Sequence, residues 1–206
     1  MIPLCRLNSE NHLESVKSDI DSQEILKKLE AIDSEREYVL KQSRSILVSF
    51  PKIFALLHDD KVADAKAVLK ELRDRLSALE SRTNYRWLKY VLPAQIECVE
   101  ATALLSIIEG SIIPSQAKLG FEIEAYMLGM LDCIGELRRA VYEKINEQNY
   151  EKAFFFYSSM KAIFDSISPF SYFDNVIPSL RRKIDLARRL MDETYVDITK
   201  MNKLKM

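Results

Sequence analysis

The chain has 206 residues, 48% hydrophobic and 30% charged, with four glycines, six prolines and a formal charge of −1. That length suits one domain with a sizeable core, and the scarcity of Gly and Pro favours long helices over sheet. A charge so near zero excludes a uniformly basic nucleic-acid surface, although one face can still be basic if another is acidic. Cys5, Cys98 and Cys133 are too few and too scattered for a disulfide framework. His12 and His58 give no zinc motif, and the first 22 residues mix charges with no apolar signal core. The composition is that of a soluble, cytoplasmic protein.

Residues 1–20 are polar and weakly patterned, and are expected to form a flexible arm ahead of a single domain spanning 21–206. Asp21 and Glu24 form a capping box for a first long helix, with Ile25, Leu29, Ile32, Val39, Leu40, Ile46 and Leu47 as its apolar stripe. Pro51 lacks a backbone donor and should break that helix near Ser49, after which the pattern resumes through Ile53, Phe54, Leu56 and Leu57. Asp59 and Asp60 can cap the next helix, marked by Val62, Ala65, Leu69, Leu72, Leu76 and Leu79.

A helix over residues 82–109 follows, stopped by Gly110 and bent by Pro93. Between Tyr90 and Ile108 its only charges are Glu97 and Glu100. Two such acids, at roughly 2.5–3.5 kcal/mol each in a bilayer centre, together with Pro93, argue against a membrane span. After a short turn of helix and a loop at 114–120, residues 123–147 form another long helix. Its second stripe reads Ala125, Gly129, Asp132, Cys133, Glu136 and Ala140, small enough for a neighbouring helix to approach closely. Asn149 caps a helix carrying Ala153, Phe156, Tyr157, Met160, Ile163, Phe164 and Ile167. Pro178 then opens a last helix that runs to about Ile198. No segment alternates like a strand. The fold class is all-α, an elongated bundle of about six or seven helices.

Glu97-x-x-Glu100 and Asp132-x-x-x-Glu136 carry the chemistry. Residues three or four apart share a helix face, so each pair can aim two carboxylates at one point. Like charges so close in an apolar setting repel unless a cation or a proton intervenes, which points to a hard divalent metal. A di-iron bundle needs Glu-x-x-His on two helices, and neither histidine adjoins an acidic pair in sequence. The aromatic run 154–157 fits core packing better than a base-stacking platform. Arg181, Arg182, Lys183, Arg188 and Arg189 read by default as a solvated face, and Lys41 and Arg44 lie one turn apart where they can flank a phosphate.

The chain resembles the translin superfamily, and within it the translin-associated factor X type. The residues that carry the likeness are Ser43-Arg44, Lys52 with Ile53-Phe54-Ala-Leu-Leu-His58, and Glu97-Cys-Val-Glu100-Ala. Tyr126-Met-Leu-Gly129-Met-Leu-Asp132-Cys-Ile-Gly135-Glu136-Leu137 is the most specific of them, and Ser179-Leu-Arg181-Arg-Lys183 with Val196-Asp197-Ile198 close the set. The resemblance covers about residues 25–198. It implies a bundle of about seven helices assembled into a hollow octamer. It also implies a metal-dependent endoribonuclease acting on single-stranded RNA, with Mg²⁺ or Mn²⁺ held by Glu97, Glu100, Asp132 and Glu136. Translin-type subunits lack these acids and bind single-stranded RNA or DNA without cutting it, which is the alternative reading. Lys41, Arg44 and Lys52 are the candidate RNA contacts. The short chain, with no basic targeting segment at its start, is expected to assemble as a homo-octamer, away from membranes.

Overall fold

In the computed structural model, residues 21–203 are described, and the side chains of 21–200; the expected arm at 1–20, with Cys5 and His12, lies outside them. The described residues contain eight α-helices and no strand. The chain divides into two compact units, residues 1–35 and 36–206.

α1 (Ser22–Leu47) starts where expected: the Asp21 carboxylate accepts hydrogen bonds from the backbone N–H groups of Gln23 and Glu24, both at 3.0 Å. Its first apolar residues, Ile25, Leu29 and Ile32, are exposed, whereas Val39 and Ile46 are buried. α2 (Phe50–His58) follows a break at Val48 and Ser49 and carries Pro51 in its first turn, where the missing donor costs nothing. α3 (Val62–Arg82) is not capped by Asp59 or Asp60. Asp59 closes α2, Asp60 takes the left-handed turn at φ 58°, and Lys61 stands at the N-cap with no side-chain bond. The tight reversal leaves neither carboxylate in reach of the α3 donors.

The expected helix over 82–109 is two elements. Thr83 ends α3, the Asn84 side chain accepts from the Arg86 N–H, and Tyr85–Tyr90 forms a 3₁₀ segment. α4 (Leu92–Ile108) begins only there, with Pro93 in its first turn. An interior proline would lose a backbone bond and clash with the preceding turn, so the helix starts at the proline instead of bending around it. α5 (Gln116–Leu119) is short, and α6 (Ile123–Asn146) is the long acidic helix. Asn149 accepts from the Lys152 N–H at the start of α7 (Tyr150–Ile167), and a 3₁₀ segment, Ser168–Asn175, follows. Pro178 does not open the last helix: Ser179 is left-handed at φ 71°, and α8 (Leu180–Lys203) begins after it. Asp174 supplies the cap there by accepting from the Arg181 N–H at 2.9 Å.

Within residues 36–206, α6 packs against α4, α7 and α8, and α2 packs against α3 and α4. Phe50, Ile53, Leu57, Leu72, Leu76, Leu104, Ile134, Leu137, Met160 and Ile184 are almost wholly excluded from solvent. Each contributes about 1.5–3 kcal/mol by burial, enough to fix the helix faces on which the acids sit.

Candidate active site

Gly129 sets the distance between the two acidic helices. A Cβ at this position would lie 2.5 Å from the Ile96 carbonyl oxygen and 2.8 Å from the Val99 Cβ. Only a hydrogen fits, so α6 lies directly on the turn of α4 that carries Glu97 and Glu100. Asp132 and Glu136 stand three and seven residues after Gly129, on the same face of α6. Ala125, Cys133 and Ala140 are buried along that stripe, as small residues at a helix contact should be.

The four acids act on one another. Glu100 is buried at 7% exposure, and burial, then Asp132, Glu97 and Glu136, push its carboxyl up to about 9. Glu97, half-buried, is raised by burial, then by Asp132 and Glu136. Among the described residues no hydrogen bond to either carboxylate offsets this. Both thiols nearby are buried and inert: burial raises Cys98 to about 12 and lifts Cys133 well above its ordinary range.

Two residues the sequence reading left out complete the site. The Lys183 ammonium of α8 contacts both oxygens of Asp132. Its neighbours Arg181 and Arg182 are exposed, as are Arg188 and Arg189, so the solvated-face reading holds for the arginines and fails for the lysine. His58, with its side chain only 4% exposed, bridges two acids of α6: Nε2 meets Glu136 and Nδ1 meets Glu143, each at 2.7 Å. Burial would lower the pKa of His58, but the bonds to Glu136 and then Glu143 outweigh it and raise it. The histidine that adjoins no acidic pair in sequence therefore adjoins one in space. It lies 78 residues before Glu136, beyond any local pattern, and the only sequence trace of it is its place in the Ile53-to-His58 motif.

Lys41 and Arg44 of α1 and Lys52 of α2 are exposed, and no ion pair joins them to the four acids. Of the aromatic run, Phe156 is buried in the core, while Phe154 and Phe155 are exposed.

The donor set suits a hard divalent cation: oxygen ligands only, in mutual repulsion, with Glu100 driven to hold a proton and Asp132 drawn to an ammonium. Among the described residues no three Asp, Glu, His or Cys side chains already converge as a metal-binding group. Carboxylate rotation, and release of Asp132 from Lys183, would have to bring them together.

A helical bundle with a carboxylate cluster shared by two closely packed helices is the class that fold and site define. This chain belongs to the Translin family, whose profile matches residues 22–192. It is 34% identical over 170 residues to an uncharacterized protein of Methanocaldococcus jannaschii, covering 81% of this chain and 76% of that one. The fold is similar to the crystal structure of AfC3PO, with 28% identity, a TM-score of 0.79, and coverage of 88% of this chain and 97% of that one. The AfC3PO–duplex RNA complex matches at 29% identity and TM-score 0.78, over 89% and 98% of the two chains. Apo-NeC3PO shares the fold at TM-score 0.70 and 19% identity, over 89% and 98%. Among the described residues no helix is long and apolar enough to cross a membrane.

Proposed function

We propose that this chain is a Mg²⁺- or Mn²⁺-dependent endoribonuclease of the factor X type, acting on single-stranded RNA inside a cytoplasmic homo-oligomeric shell, in its expected form an octamer. The observation that carries the reading is the close approach of α4 and α6 at Gly129, which leaves Glu100 buried and in electrostatic range of Glu97, Asp132 and Glu136. A structural cluster would surround such acids with hydrogen-bonding partners, yet among the described residues the one favourable influence on Glu97 and Glu100 is the nearby charge of Lys183.

Glu97, Glu100, Asp132 and Glu136 would hold the cation, and His58 steadies Glu136 through its Nε2 contact with that carboxylate. A cation bound there supplies an activated water and neutralises charge building on the phosphate. Exposed Lys41, Arg44 and Lys52 are free to contact RNA phosphates. The RNA complex of AfC3PO, a relative of the same fold, supports RNA as the substrate class.

The absence of a preformed group of three ligands among the described residues favours a second reading, a non-catalytic subunit that binds single-stranded RNA or DNA. A labelled single-stranded RNA incubated with the purified protein separates the two. Cutting that starts with Mn²⁺ and stops with chelator supports the enzyme, whereas salt-sensitive binding without cutting supports the alternative.

A further inference from the structure

Lys183 sets a positive charge directly against the acidic cluster. Its ammonium reaches 51 residues back to touch both oxygens of Asp132, and it is the cation that draws Glu97 and Glu100 back toward their charged forms. The Lys183 side chain is partly exposed, at 23%, and its amine rides on a flexible four-carbon stem that can swing it toward solvent. His58, which also touches the cluster, is buried and bonded at both ring nitrogens, so it has no such path.

We infer that Lys183 is a placeholder cation: it neutralises Asp132 while the centre is empty and is displaced from it when a divalent cation binds. The inference rests on the metal-centre reading above. A doubly charged ion that takes Asp132 as a ligand must compete with the amine for the same oxygens. The wild-type affinity is therefore lowered by the strength of the Lys183–Asp132 pair. Removing the lysine should make metal binding tighter, although it takes a favourable contact away from the metal-free protein. A permanent salt bridge predicts otherwise. A carboxylate has about four lone-pair directions, and if Lys183 and the metal shared them, the lysine would hold Asp132 in place for the metal. Its loss would then weaken binding or leave it unchanged.

The test is calorimetric titration of Mn²⁺ into chelator-stripped wild type, Lys183→Met and Lys183→Gln, with melting curves for each. The expected result is a dissociation constant roughly three- to tenfold lower in both variants, the span of a modest ion pair plus the removed charge. Their metal-free melting temperatures should be lower than wild type, and the rise on adding Mn²⁺ larger. Asp132→Asn in the Lys183→Met background should cancel the gain. Equal or weaker Mn²⁺ binding in whichever lysine variant folds overturns the inference and leaves the metal centre standing. Failure of wild type to bind Mn²⁺ at all overturns both.

Discussion

Glu100 is held near its neutral form by burial and by Asp132, Glu97 and Glu136, so the metal-free protein takes up a proton there on folding. Its ordinary value is 4.5 and its folded value about 9. Between the two, the folded chain keeps a proton that the unfolded chain has released. Metal-free stability must therefore fall as pH rises across that window, by at most about 1.4 kcal/mol per pH unit. Glu97, also raised, adds to the same slope. His58 adds only later: its stabilisation is complete below its ordinary 6.5 and is lost as pH passes its raised folded value. The interval from about pH 5 to 6.5 thus reports the raised acids, Glu80 together with Glu97 and Glu100, and not His58. Glu100→Gln, which mimics the protonated acid, should flatten the melting temperature against pH in chelator over that interval and raise it at pH 8. Parallel curves for variant and wild type would show that Glu100 carries no such burden.

At the level of helices, the two acidic pairs come into electrostatic range because α4 and α6 touch at Gly129. Gly129→Ala drives a Cβ into backbone and a packed valine, and overpacking of this kind costs about 1–3 kcal/mol. Gly135→Ala, six residues on in the same helix, meets nothing within 4 Å and should stabilise by about 0.5–1 kcal/mol. Thermal melts of the two variants should shift in opposite directions, and equal shifts would contradict the packing argument. That contact was legible in advance, because small residues recur along one face of α6 and a 3.6-residue period shows directly in the sequence. Chain reversals were less so. Pro93 and Pro178 both mark helix starts, but whether a proline bends a helix, begins it or precedes it depends on which tertiary partner satisfies the neighbouring donors. Asp174 does so for α8 from outside its first turn. Lys183 and His58 were harder still. Each joins the cluster from another helix, and a lysine in a run of arginines looks solvated until the fold sets it against Asp132.

For the molecule as a whole, apolar surface is exposed among the described residues. Ile25, Leu26 and Leu29 are about half exposed in the first compact unit. In the second unit, an apolar cavity of about 800 Å³ opens between α6, α7 and the 3₁₀ segment, with Phe155, Phe170 and Phe173 at its exposed margin. Surfaces of this kind mark association sites. Light scattering at micromolar concentration should give a mass several times the 23.9 kDa of one chain, and a monomer mass would contradict the shell.

Under the proposed function, the carboxylate cluster cuts RNA with a divalent metal. Single-stranded RNA cleavage in Mn²⁺ by wild type and by Asp132→Asn, at matched helical content and matched mass, tests it most directly. Asparagine keeps the side chain's shape beside Lys183 where alanine would strand the ammonium. Wild type should cleave and lose all activity to chelator, and Asp132→Asn should be slower by roughly a hundredfold or more. Cleavage that survives either the chelator or the substitution would contradict the account.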